Sequence, residues 1–222
     1  LKDLGIDFIY AEDDIGQGID LTDSLEIQIK EQCLGAVRDV LIKYSYHNNT
    51  ELEEIKDIAD EIINDIVKEP EVIYNLSSIR EKSEYTYSHS LNVCALSVII
   101  ALKLKLPRKK IREIAIGCLL HDVGLIYLTE DYSDKLEISL TPKQLKDFRR
   151  HVVLGYSAVE NMKWLKPVTK DIILYHHERL DGSGYPFRLK GDRIKIGARI
   201  AAVCDEFDNR VYGNMVTRMK VH

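Results

Sequence analysis

At 222 residues the chain is long enough for one good-sized core or two small ones. With 45% hydrophobic and 30% charged residues it has the composition of an ordinary globular protein. A net charge of −5 argues against gripping long nucleic acid by bulk charge, yet a local cation can still recruit a small anion.

The opening stretch, LKDLGIDFIYAEDDIGQGID, is dense in turn signals; IDFIY reads as a single strand and DDIGQG as a loop. From Leu21, TDSLEIQIKEQCLGAVRDVLIKYSY carries apolar residues at helical spacing, with Thr22 or Asp23 as N-cap, and HNNT ends that helix. ELEEIKDIADEIINDIVKE repeats Ile55, Ile58, Ile62 and Ile66, giving an amphipathic helix whose acidic outer face reads as solvated. Further helices are expected at about 71–79, 83–105, 108–125, 142–149, 152–162, 168–178 and 196–209. Pro107 begins one of them, and Thr141-Pro142 opens another with a cap and a proline at its first position. Strand-like alternation is almost absent after the first twenty residues. The class is therefore all-α, with a small N-terminal irregular or β-containing element.

No run has the length of a membrane span; the longest, ALSVIIAL, is about eight residues. No stretch reads as a secretory signal, and the chain opens on Leu1 rather than Met. Cys33, Cys94, Cys118 and Cys204 lie far apart without a CxxC spacing and read as reduced, buried thiols of a cytoplasmic protein.

The chemistry is carried by histidines and acids. Of seven His, His47 lies in a polar turn and His222 is the last residue. The other five fall in or after expected helices: His89 at the wet end of an apolar helix in YTYSHSLNV, His121 in GCLLHDVG, His151, and the pair His176-His177 in ILYHHERLDG. Asp122 follows His121 directly, and Asp205 follows another apolar run in AAVCDEFD. Any one of these taken alone is more readily a structural group than a ligand. Together, at the ends of several apolar helices, they point to one shared polar pocket in a bundle core, where bundles build metal sites.

Imidazole nitrogen with carboxylate oxygen suits Fe, Mn, Zn or similar ions, and no thiolate set is present. Seven ligands are too many for one ion with an open position and about right for two, and a pair of ions clamps phosphoryl groups and makes hydroxide from water. A zinc-protease motif fails, because His177-Glu178 is followed by Arg179-Leu180-Asp181 and no second His.

His89, LLHDVG, RRHVVLG, ILYHHERLDGSGYP and AAVCDEFD, over roughly residues 80 to 210, resemble the HD-GYP family of HD-superfamily phosphodiesterases. The resemblance implies an all-helical HD bundle that hydrolyses cyclic di-GMP to pGpG, and often on to GMP, in bacterial second-messenger signalling. It implies two divalent metal ions, iron or manganese. One would take His89, His121, Asp122 and Asp205, and the other His151, His176 and His177, with Asp122 bridging both. Asp122 and His121 would be central to catalysis: the metal pair binds the scissile phosphate, hydroxide attacks phosphorus in line, and the 3′ oxygen leaves. Gly184, Tyr185 and Pro186 would form a signature loop beside the substrate; the residues themselves offer close backbone approach, an aromatic face and a stiff turn.

The chain departs from the family pattern at four places. Leu125 stands where a Lys is usual, removing a cation on the face of His121 and Asp122. Tyr85 stands where three-metal members carry a Glu, which fixes the expectation at two ions. Asn214 occupies the usual Arg position of a phosphate-holding segment; Arg210, Arg218 or Lys220 is the candidate replacement, with Arg218 and Lys220 counted among the expected substrate-binding residues. Arg188 replaces a glycine in PFRLKGDRI. The altered clamp keeps two alternatives open: a related cyclic dinucleotide such as cyclic GMP-AMP as substrate, or a metal-binding nucleotide sensor with little turnover. Residues 1–79 are expected to form the N-terminal element and linker helices, with 80–222 as the catalytic domain. The long helices are of a kind that pairs in homodimers, although no distinct coiled-coil seam is present.

Overall fold

The computed structural model describes residues 24–47, 51–68, 85–132 and 139–220. The expected strand at IDFIY, the N-cap at Thr22 or Asp23 and the helix at 71–79 lie outside the described residues. Cα packing divides the chain into two compact units, Leu1–Gln32 and Cys33–His222. Among the described residues all regular structure is helical: α1 (Ser24–His47), α2 (Ile55–Lys68), α3 (Tyr85–Lys103), α4 (Arg108–Leu120), α5 (Pro142–Phe148), α6 (His151–Val159), α7 (Pro167–Tyr175) and α8 (Ile196–Lys220). Short 3-10 turns occupy Glu51–Glu54, Val123–Tyr127 and Gly191–Arg193.

Helix α4 is the axis of the second unit. From Ile114 to Leu120 every residue is buried, so the helix is apolar on all sides and is surrounded: α2, α3 and α7 pack against it. Helix α8 closes over α3 and α7. The isoleucine repeat of α2 behaves as its spacing predicts, with Ile55, Ile58, Ile62 and Ile66 all buried. Its acidic face is not wholly solvated. Asp60 takes both oxygens to Arg112 Nε at 2.7 and 2.9 Å, and Asn64 accepts from Arg108 at 2.5 Å, so two polar ties fasten α2 to the start of α4. The Asp60–Arg112 pair is half-exposed and adds at most about 1 kcal/mol.

Helix starts follow local chemistry. Thr141 and Gln144 form a reciprocal capping box ahead of Pro142, as the Thr-Pro signal predicts. Pro107 takes the N-cap position of α4 rather than its first turn. The larger differences fall at helix ends. The helix expected to run to residue 125 stops at Leu120, because Asp122 turns to φ −97°, ψ 10° and a 3-10 turn follows. The helix expected to stop at 209 runs on to Lys220. All four cysteines are free and buried.

Candidate metal centre

The turn that ends α4 creates the site. His121 is its C-cap residue, and Asp122, next in the chain, has already left helical geometry. The two side chains therefore project from the buried end of the central helix instead of continuing along its flank. Close packing holds α6 against this turn. A Cβ on Gly124 would lie 1.9 Å from the His151 carbonyl oxygen and 2.6 Å from the Gly155 amide nitrogen. Only glycine lets the HDVG turn approach that backbone, and His151 is thereby brought to Asp122.

The five central histidines are buried: His151 and His176 are 0% exposed, and His89, expected at a wet helix end, is also buried. That expectation fails because α8 covers the second turn of α3. Asp205 sits inside the 25-residue α8, within the helix expected at 196–209.

Each outer ring nitrogen of four of these histidines has a fixed partner. Nδ1 of His121 lies 2.7 Å from the Cys118 carbonyl, that of His151 2.7 Å from the Phe148 carbonyl, and that of His176 3.0 Å from the Ile172 carbonyl. Nδ1 of His89 lies 2.7 Å from Asp208 Oδ2. A carbonyl can only accept, so these three Nδ1 atoms carry the proton and the Nε2 lone pairs point inward. The inward atoms meet in pairs, His121 with His89 and His151 with His176, each at 3.3 Å.

Asp122 stands between the pairs. Its Oδ2 is 3.3 Å from His121 Nε2 and 3.9 Å from His89 Nε2. Its Oδ1 is 3.3 Å from His151 Nε2 and 3.6 Å from His176 Nε2. Asp205 reaches His89 Nε2 with Oδ1 at 3.2 Å and His177 Nδ1 with Oδ2 at 3.7 Å. Two groups of atoms mutually within 4.8 Å result: His89, His121 and Asp122, and Asp122, His151, His176 and His177.

Burial and neighbouring charges move these rings and carboxyls in different directions. Burial alone would lower the His89 imidazole, but Asp205 and Asp208 outweigh it and raise it to about 10. His121 is likewise raised against its burial, by Asp122. Burial holds His151 down to about 4 and His177 well below its usual range. Asp122 and Asp205 lie below the ordinary carboxylate range: burial opposes this, and the imidazoles around them prevail. Inward ring nitrogens beside carboxylate oxygens suit cation binding, and the nitrogen and oxygen donors fit the borderline metals. Neither group of candidate ligands includes a cysteine.

The signature loop lies alongside. The Gly184 backbone is in such close contact that a Cβ would meet the His177 carbonyl oxygen at 2.4 Å. The Tyr185 ring stacks on His177, with centroids 4.6 Å apart and planes 22° apart, and the Arg149 guanidinium sits over the Tyr185 ring at 4.8 Å. Pro186 follows through a cis peptide bond. Leu125 is half-buried in the 3-10 turn, so the face that it shares with Asp122 is set by that turn and not by an α-helix. The side chains of Tyr85, Asn214, Arg218 and Lys220 lie outside the described residues, and Arg210 is engaged by Glu206 at 2.7 Å.

Several contributing groups escape a motif-based reading. Glu178, buried beside His177, accepts from the backbone N–H of Phe187 at 2.7 Å and of Leu189 at 2.8 Å and so shapes the loop. Asp208 braces His89, and Asn209 donates to Asp205 Oδ1 at 2.7 Å. Asp208 was open to detection: it is one helical turn beyond Asp205, on the same buried face of α8.

A helical bundle whose converging helices bring imidazoles and carboxylates together in its core is a frame on which metal sites are built. Comparison with known proteins agrees. Residues 66–221 match the HD domain family, and the chain belongs to that family. It is 36% identical over 152 residues to a Pseudomonas aeruginosa protein named cyclic di-GMP phosphodiesterase PA4108, covering 68% of this chain and 36% of the relative. It is 29% identical over 209 residues to a Vibrio cholerae protein named 3'3'-cGAMP-specific phosphodiesterase 2, covering 93% of this chain and 38% of the relative. The chain thus spans little more than a third of the length of either. Its fold matches that of Bd1817, described as a HDG"Y"P protein from Bdellovibrio bacteriovorus, with a TM-score of 0.73, 23% identity and coverage of 86% of this chain and 63% of the other. No described helix is long and apolar enough to cross a membrane.

Proposed function

We propose that this chain is the catalytic part of a metal-dependent cyclic dinucleotide phosphodiesterase, with cyclic di-GMP as the preferred substrate. The observation that carries the reading is the split of Asp122, with Oδ2 turned to the His89–His121 pair and Oδ1 to the His151–His176 pair. In this reading Asp122 bridges two cations, iron or manganese. His89, His121 and Asp205 hold one; His151, His176 and His177 hold the other. Cations so bound supply positive charge at the phosphoryl oxygens and bring water toward ionisation near neutral pH.

The chain's own residues do the rest. The buried imidazoles exclude bulk solvent, while the Asp122 side chain, 14% exposed, marks where a phosphodiester reaches the site. In this reading Tyr185, stacked on His177 with Arg149 over its ring, forms the substrate-side loop together with Gly184 and Pro186. Arg218 and Lys220 are assigned to the outer phosphate, and the catalytic domain to residues 80–222. The names of several curated relatives support cyclic di-GMP, and the match of 93% of this chain to part of a protein named 3'3'-cGAMP-specific phosphodiesterase 2 keeps that dinucleotide as the second reading.

The deciding experiment uses anaerobically purified protein loaded with iron or manganese and offered both dinucleotides. The proposal expects turnover of cyclic di-GMP to pGpG, faster than that of cyclic GMP-AMP. The reverse preference moves the assignment to the second reading. Full metal occupancy with nucleotide binding and no hydrolysis makes the chain a sensor.

A further inference from the structure

The two halves of the site are built differently behind their ligands. His121, His151 and His176 each rest their outer nitrogen on a backbone carbonyl, a neutral acceptor. His89 rests its outer nitrogen on a carboxylate, Asp208 Oδ2, at 2.7 Å. Asp208 is 1% exposed. Its second oxygen accepts from Asn92 Nδ2 at 3.1 Å, and Asn92 is itself buried one turn along α3 from His89. Asn92 leaves its own carbonyl without a partner in order to do so. Turning that amide over would set oxygen against carboxylate, so the amide serves Asp208. One turn apart on α8, Asp205 and Asp208 therefore grip the two nitrogens of one ring, Asp205 at Nε2 from 3.2 Å and Asp208 at Nδ1.

A carboxylate behind an imidazole fixes the ring's direction and makes the inward nitrogen more electron-rich than a carbonyl does. We propose that Asp208 is a positioning residue that makes the His89 half of the centre bind its cation more tightly than the His151 half. This rests on the reading of the cluster as a two-cation site. It adds an order of loading: the His89–His121–Asp205 side fills first, and the His151–His176–His177 side fills second and exchanges more readily.

The test titrates Mn2+ into metal-stripped full chain, following heat and the count of bound ions. Wild type should show two resolved steps, and His151→Ala should lose the weaker one, which assigns the steps. Asp208→Asn keeps the shape and an acceptor but removes the charge. It should weaken the tighter step by at least about tenfold and leave the weaker step in place, with unchanged helical circular dichroism. An unchanged tight step in folded Asp208→Asn, or an equal loss from both steps, overturns the proposal. If that variant does not fold, Asn92→Ala decides: several-fold weakening of the tight step alone supports the proposal, and no change overturns it. Wild type that binds no Mn2+ brings down the metal reading itself, whereas two steps untouched by Asp208→Asn bring down only this proposal.

Discussion

Replacing Gly124 with alanine tests whether the close approach of two backbones assembles the site. The added Cβ would meet the His151 carbonyl oxygen at 1.9 Å, the His151 carbonyl carbon at 2.7 Å and the Gly155 nitrogen at 2.6 Å. All three are backbone atoms of α6, so no side chain can swing aside. To reach ordinary contact near 3.4 Å the turn and the helix must part by about 1.5 Å. His151 travels with that helix, and its Nε2 leaves Asp122 Oδ1, now 3.3 Å away, by a comparable amount. Metal sites tolerate displacements of only about 0.2 Å per ligand. Overpacking against backbone belongs at the upper end of its range, about 3 kcal/mol, which for a chain of this size lowers the melting temperature by about 6–12 °C. Thermal melts and elemental analysis of the Gly124→Ala protein measure both effects. The expected result is a folded, less stable protein that binds the second cation at least about tenfold more weakly. A melting temperature within about 2 °C of wild type, with full metal content, would refute the reasoning.

Other perturbations follow from single contacts. Arg188 adopts φ 54°, a left-handed conformation that costs a side chain roughly 1–2 kcal/mol and glycine much less. Arg188→Gly should therefore raise stability by about 0.5–1 kcal/mol in urea melts, without altering metal content. Glu178→Ala strips two backbone N–H groups of their acceptor; it should cost about 3 kcal/mol and speed proteolysis within residues 181–190, and unchanged cleavage would contradict its role. Asp122→Ala should abolish turnover and deplete both cations while leaving helical circular dichroism intact; wild-type metal content would contradict bridging. In chelator, stability should peak near pH 6.5. His89, raised to about 10, contributes stability that is present below 6.5 and lost as pH rises toward 10. His151, lowered to about 4, contributes stability that is present above 6.5 and lost as pH falls toward 4. Urea melts across that range check both limbs.

Much of the site is legible in the chain because neighbouring letters carry it. His121-Asp122 and His176-His177 each place two polar groups at the end of an apolar run, and an apolar run so interrupted has to pair those groups inside. The helices are readable for a similar reason: the isoleucine spacing of α2 and the Thr-Pro start of α5 are local signals, answered by local structure. What stays hidden is set by tertiary contact. No proline or glycine lies between Gly117 and Asp122 to announce that α4 stops at Leu120; the stop serves the contact of Gly124 with α6, some thirty residues on. His89 reads as wet because nothing in YTYSHSLNV says that α8 will cover it. Asp208 reads as one more acid on a charged helix until its register with Asp205 is followed. The positive φ at Arg188 gives a backbone reason for the glycine usual there in the family that the chain resembles, and sequence alone offers no such reason.

The most direct test of the account is a crystal of the manganese-loaded protein, measured at the manganese absorption edge. The account predicts two anomalous peaks about 3.5–4 Å apart, one on each side of the Asp122 carboxylate, with His89 against one and His151 against the other. A single peak, or peaks away from Asp122, would contradict it.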